Sequence, residues 1–306
     1  RDDLVTGVQT CALPISDTMA TLATDSPDRT QHVSHWHIGR PPIPHEHGAW
    51  FMLLIPLSIP FMATDAIPLQ PALALLLVAL SAFMGQNAFR LASKPRRRPG
   101  HLFWLAIYAI ALAIGVTTLI IIFGYHEIIL IGTIGFSIYL VAILIGRRSR
   151  GRFDRSITGE VMGVAALALT APASHLIIHR ELSPIAWIIY AVAVIYFISG
   201  VVFVNMLLTG ARVPGVLGSQ RKLKIGAING AYHTVLLLSA TILFLWTPSW
   251  TNVFLLLAFV PVVVRSFHGW ATLTTELPAL AKVGIREAVY SVWFALFAQA
   301  AIRSLA

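Results

Sequence analysis

From Trp50 to its C-terminus the chain runs through nine apolar stretches, approximately residues 49–66, 71–91, 102–123, 127–146, 157–178, 184–208, 225–246, 251–268 and 283–302. Each is about the length that a helix needs to cross a hydrocarbon core. Few folds are open to such a chain. Backbone N–H and C=O groups in lipid must be satisfied within their own segment, so the sequence predicts an all-α, polytopic transmembrane helical bundle of about nine helices. Composition points the same way: 57% hydrophobic and 11% charged residues, with a mean hydropathy of +0.77, exclude a soluble domain with a hydrated surface. Nine such helices and their short loops use up most of the 306 residues, which leaves no room for a second, soluble domain.

The basic residues predict the orientation. Arg90, Lys94, Arg96, Arg97 and Arg98 lie between the second and third stretches, and Arg147, Arg148, Arg150, Arg152 and Arg155 between the fourth and fifth. Arg212, Arg221, Lys222 and Lys224 follow the sixth, and Arg265, Lys282 and Arg286 lie around the connection between the eighth and ninth. The alternate connections contain only Arg180. Positive loops are retained in the cytosol, so the N-terminus is expected there and the C-terminus outside. The net charge of +9 then faces anionic lipid headgroups and requires no nucleic acid. The expected location is the bacterial cytoplasmic (inner) membrane.

Residues 1–16, RDDLVTGVQTCALPIS, resemble translated sequencing-adapter read-through and are read as a non-native segment, with Met19 as the native start. They contain the sole cysteine, Cys11, so no disulfide or thiol chemistry is expected. Residues 17–44 read as a flexible polar tail, and residues 45–306 as the transmembrane helical domain. His32, His35, His37, His45 and His47 lie in or beside the tail. Their loose spacing, without cysteine, reads as a solvated tail rather than a metal site.

The scarce polar side chains of the apolar stretches fall at one end of the bundle. Glu46 and His47 precede the first helix, and Asn87, Arg90 and Lys94 close the second. Glu160 opens the fifth, while Asn205 closes the sixth and Arg212 follows it. Asn229 and His233 share a face of the seventh at i, i+4 spacing, Arg265 and His268 close the eighth, and Glu287 starts the ninth. One polar residue at a helix end usually snorkels to the interface or caps the helix. Acids and bases at one depth on different helices neutralise one another only if they converge. The pattern therefore predicts a cytosol-facing pocket formed by helices one, two and five to nine, with the third and fourth at the periphery. Because Arg90, Lys94, Arg212 and Arg265 would meet apolar walls, the expected ligand is anionic and amphiphilic or lipid-linked. Gly159 with Gly163, and Gly226 with Gly230, have the four-residue spacing of close helix approach.

Pro44-His45-Glu46-His47-Gly48-Ala49-Trp50, with Leu53, Leu54 and Pro56, resembles the opening motif of the YwiC-like family of bacterial membrane proteins. Phe203-Val204-Asn205 with Arg212, Ala231-Tyr232-His233-Thr234, Phe259-Val260-Pro261 with Arg265, and Gly284-Ile285-Arg286-Glu287-Ala288 resemble its remaining blocks. The resemblance runs over about residues 44 to 302 and implies a multi-helix inner-membrane protein without assigning an activity. A second resemblance, of layout alone, is to the UbiA-type intramembrane prenyltransferases. Those carry Asp-rich motifs after the second and sixth helices that hold magnesium and a prenyl diphosphate. Here neither Asn87–Gly100 nor Asn205–Lys224 contains an aspartate, which argues against magnesium-dependent transfer and leaves a related scaffold with other chemistry.

No Walker sequence, dinucleotide fingerprint, His-Glu-x-x-His element or nucleophile elbow is present, so no cofactor is expected and catalysis is left open. A small-solute transporter is the rival reading. Pro56, Pro60, Pro172 and Pro261 interrupt helices as transport requires, although no internal repeat accompanies them.

Overall fold

Hydropathy and backbone satisfaction give the expected architecture. The computed structural model describes residues 40–44, 47–93, 99–148, 156–276 and 279–305, and all of its described elements are helical. In chain order they are α1 (His47–Ala63), α2 (Leu69–Ala92), α3 (Pro99–Thr117), α4 (Ile128–Arg148), α5 (Ile157–Ala168), α6 (Thr170–His179), α7 (Pro184–Ala211), α8 (Ser219–Trp246), α9 (Trp250–Ala271) and α10 (Leu280–Arg303). α5 and α6 together form the fifth apolar segment, so the nine stretches expected from the sequence are all helical. Among the described residues seven segments are long and apolar enough to cross a membrane. α1 is apolar but has only 17 residues, and α10 carries Lys282, Arg286, Glu287 and Arg303. The chain is a multi-pass membrane protein.

Local chemistry sets the ends. Ser156 and Ser249 cap α5 and α9 by accepting from the backbone N–H groups of Gly159 and Asn252. Pro184 stands at the start of α7, where its missing N–H costs nothing. α6 ends at Arg180, whose φ of 60° terminates the helix in the left-handed region. Its guanidinium lies 5.2 Å over the Tyr125 ring. α8 begins at Ser219, well before the expected residue 225, because Ser-Gln-Arg-Lys-Leu-Lys continues the helix beyond the apolar part.

The fifth segment breaks at Leu169, three residues before Pro172, which has no N–H to offer the preceding turn. Thr170 Oγ1 donates to the carbonyl of Leu53 on α1, at 3.0 Å. That contact sets the break against the stretch of α1 that contains Pro56 and Pro60.

Cross-helix bonds set α9 antiparallel to α8 and α10, and α1 parallel to α10. Late α9 meets early α8 and early α10 through Ser266–Asn229 and Arg265–Glu287, and the far ends of α1 and α10 meet where Arg303 donates to the Met62 carbonyl at 3.1 Å. Two main apolar clusters follow. One joins α1, α5, α6, α7, α9 and α10 around Ile59, Val164, Tyr196 and Phe294; the other joins α1, α2, α4 and α6 around Leu75, Leu119 and Leu176. The Ile157–His179 segment is 61% buried, against 11% for the segments of α3 and α4. The third and fourth helices are peripheral, as expected, and their exposed isoleucines and leucines suit contact with lipid tails. α8, only 17% buried, is also largely outward-facing.

Candidate functional site

The charges at the start of α10 and the end of α9 form the centre of the site. Glu287 lies about two turns into α10, and its Oε2 accepts from Nη1 of Arg265. The Arg265 side chain is 1% exposed. A guanidinium so far from water is costly unless it is paired; its surroundings supply further contacts, while its buried Nε has no hydrogen-bond partner among the described residues. Nη2 donates to the Ser199 carbonyl at 3.4 Å, and the cation sits 4.3 Å from the Phe203 ring centroid and 5.9 Å from that of Tyr290. Gly200 lets α7 come this close: a Cβ there would stand 3.6 Å from Glu287 Oε2.

Beside the ion pair is a cavity of about 250 Å³ between α1, α5, α7 and α10. Phe51, Met52, Val201, Val204 and Val283 form its apolar walls, and Glu160 and Glu287 are its two charged lining residues among those described. Three residues that line it carry a buried polar atom with no hydrogen-bond partner: Tyr196 Oη, Ser199 Oγ and Glu287 Oε1. An unpartnered buried polar group costs about 1–3 kcal/mol, and three such atoms stand around this one small space. Ser291 Oγ, also in the lining, donates to the Glu287 carbonyl at 2.8 Å.

The other expected ligand residues fall elsewhere. Asn229 and His233 belong to a buried network across α8 and α9: Ser266 Oγ donates to Asn229 Oδ1 at 2.9 Å and lies 3.0 Å from His233 Nε2. His233 Nδ1 is 2.8 Å from the Asn229 carbonyl, and Asn229 Nδ2 donates to the Ser266 carbonyl at 3.4 Å. The two residues are 1% and 0% exposed and line no part of the cavity, so here they join helices. Asn87 Nδ2 donates to the Pro42 carbonyl at 2.7 Å, and its Oδ1 accepts from Arg90 Nη2 at 3.2 Å. This pair ties the segment before α1 to the end of α2, away from the cavity. Arg212 and His268 are exposed and Asn205 is half-buried, none of them in the lining. Only the backbone of His47, at the start of α1, is described. Glu46 and Lys94 lie outside the described residues, as do His32, His35, His37, His45 and the segment 1–16.

The pocket is thus narrower than expected. The first, fifth, sixth and ninth segments line it; the second, seventh and eighth do not. Of the three described bases expected to greet an anion, Arg90, Arg212 and Arg265, only Arg265 is near, and Glu287 already neutralises it. Tyr196, Ser199 and Gly200 were not singled out by the sequence, since lone Tyr, Ser and Gly residues are ordinary in apolar helices. The glycine pairs also divide. Gly226 and Gly230 face the Trp270 indole of α9, whereas nothing lies within 4 Å of a Cβ placed on Gly163. Among the described residues no group of three or more His, Cys, Asp or Glu side chains is placed to hold a metal ion.

Residues 43–175 match the family model described as YwiC-like protein. The match spans the segment before α1 and the helices α1 to α5 with most of α6, including Glu160, and ends before Arg265 and Glu287. No curated protein and no solved structure matches the chain.

Proposed function

We propose that this protein is a membrane-embedded binding protein of the bacterial cytoplasmic membrane. Its cavity between α1, α5, α7 and α10 takes the polar head of an amphiphilic molecule and is open to the cytosol. The observation that carries this reading is the set of three partnerless buried atoms, on Tyr196, Ser199 and Glu287, around one space with apolar walls. A volume of about 250 Å³ lies just under the roughly 300–1,000 Å³ of sites for drug-sized ligands. It suits a small molecule or one end of a longer one.

The orientation follows from the basic connections. In a chain freed of Cys11, a cysteine replacing Ser219 is expected to be shielded from membrane-impermeant thiol reagents in intact cells, and one replacing Ser249 to be labelled. Both positions are exposed. The reverse pattern would turn the cavity mouth outward.

Occupancy is tested by filling the cavity. Gly284 lines it, and nothing lies within 4 Å of a Cβ placed there. Gly284→Leu should therefore enter the space without a clash and hold or raise stability, because Leu favours helix over Gly by up to about 1 kcal/mol. Native mass spectrometry from mild detergent should find an amphiphile bound to the wild type and absent from Gly284→Leu, with no fall in melting midpoint. The same adducts on both proteins would overturn the reading.

Transport is the second reading, favoured by the break at Leu169 set against the Pro56 and Pro60 stretch of α1. Movement of the co-purifying molecule across a proteoliposome membrane would distinguish a carrier from a binding protein. A UbiA-like transferase scaffold gains nothing from the cavity, which offers two glutamates rather than Asp-rich motifs.

A further inference from the structure

We propose that His175 and His179, one turn apart at the end of α6, form a binding site for a divalent transition-metal ion, independent of the cavity between α1, α5, α7 and α10. On a helix, histidines at i and i+4 stand on one face, the spacing at which two imidazoles reach a single ion. Here the rings already meet: their centroids are 4.3 Å apart and their planes are tilted by 32°. Two imidazoles that share an ion through metal–nitrogen bonds of about 2.0–2.1 Å have centroids roughly 4.5–5 Å apart. A small outward turn of one ring converts the contact into a clamp.

The two nitrogens of His175 differ in their surroundings. The residue is 4% exposed; Nε2 lies 3.5 Å from Ser183 Oγ, whereas Nδ1 is buried with no hydrogen-bond partner among the described residues. With the proton on Nε2 and donated to Ser183, Nδ1 keeps its lone pair. A metal-bound imidazole has this arrangement, one nitrogen on the ion and the other N–H held by an outer acceptor. Ser183 suits the acceptor's part because it stands at the N-cap of α7 and its side chain makes no cap bond there. His179 is exposed, so the second imidazole is open to ions from water. The cation next in sequence is turned aside: Arg180 takes the left-handed φ of 60° that ends α6, and its guanidinium lies 5.2 Å over the Tyr125 ring. Tyr125 Oη donates to the Ile177 carbonyl at 3.0 Å, which fixes the turn between the two histidines. Neutral imidazoles select zinc, copper(II) or nickel over magnesium and calcium, which take oxygen ligands. No third His, Cys, Asp or Glu side chain joins the pair among the described residues, so water completes the coordination and the ion is exchangeable rather than structural.

The experiment titrates the full-length protein in mild detergent with Cu²⁺ and follows electron paramagnetic resonance. It uses a background in which His32, His35, His37, His45 and His47 are replaced by alanine, so that the N-terminal histidines supply no ligands. One copper per chain is expected, with a signal from two nitrogen ligands. His179→Ala, at an exposed position, should weaken binding about a hundredfold, because the second imidazole acts at a high effective concentration, and should reduce the signal to one nitrogen. His175→Ala should do the same. An excess of Zn²⁺ should compete with the copper, whereas Mg²⁺ should not. In the chain that keeps its N-terminal histidines, His179→Ala should still remove one copper equivalent, which separates the result from any folding defect of the substituted background. Unchanged affinity in His179→Ala would overturn the site. So would a signal without two nitrogens, or loss of all binding in the substituted background together with an unchanged copper count for His179→Ala in the other chain. None of these outcomes bears on the cavity, which is tested by the adduct lost in Gly284→Leu.

Discussion

Glu287→Gln is expected to cost this protein about 3–5 kcal/mol, the range found when one partner of a buried ion pair is removed and the other charge stays behind. The left-over charge is Arg265, whose side chain is 1% exposed and packed under Phe203. Its remaining hydrogen-bond partner among the described residues would be the Ser199 carbonyl at 3.4 Å, and no second described carboxylate forms an ion pair with it. The melting midpoint in detergent should therefore fall sharply. Adding Arg265→Met should return most of the loss, because a neutral apolar side chain of similar length fills the same space without needing a countercharge. Glu160→Gln should move stability by less than about 1 kcal/mol, since Glu160 is exposed and solvent screens exposed charges. A midpoint for Glu287→Gln equal to that of the wild type would show that water reaches the guanidinium and that the pair is not sealed.

The contrast between these two acids shows what the sequence could and could not reveal. Glu160, Glu287 and Arg265 were legible because a charge near apolar sequence is costly, and such a cost is rarely borne without a use. Which acid met which base was not legible, since that depends on how α9 and α10 face each other. Asn229 and His233 were equally conspicuous at their i, i+4 spacing. Their partner, however, is the hydroxyl of Ser266, a residue that hydropathy treats as unremarkable, and the network closes inside the α8–α9 contact. Asn87 bonds a backbone carbonyl, that of Pro42, and no side-chain pattern announces a backbone partner.

The nine segments were readable for the opposite reason. Membrane helices satisfy their own backbone, so length and hydropathy are enough to locate them without any knowledge of packing. The interruption at Leu169 was announced by Pro172 alone, because the apolar run continues through it, whereas Pro56, Pro60 and Pro261, read in the same way, lie inside the continuous helices α1 and α9. The orphaned hydroxyls of Tyr196 and Ser199 became visible only when α7 was set against α1 and α10. Whether a polar atom in a helix lacks a partner is a property of the packed bundle rather than of the helix.

Gly230→Ala should be strongly damaging on steric grounds alone. The Trp270 indole lies across the groove left by Gly226 and Gly230. A Cβ on Gly230 would overlap ring carbon Cζ3 and stand 2.8 Å from Cη2, and one on Gly226 would strike Nε1. The ring cannot easily withdraw. Nε1 donates to the Lys222 carbonyl at 2.9 Å, and the indole packs beside the cluster of Phe203, Met206, Leu217 and Leu273. Overpacking usually costs about 1–3 kcal/mol, and a rigid, hydrogen-bonded ring places this case at the top of that range or above. The bulk of the indole, rather than backbone contact between α8 and α9, is what requires glycine here. Trp270→Ala alone should destabilise by opening a void, yet in that background Gly230→Ala should cost less than about 1 kcal/mol, because the two sites share one contact and their effects do not add. Melting of the four proteins in the same detergent measures the coupling. Equal costs of Gly230→Ala with and without Trp270 would mean that the glycine answers to something other than the indole.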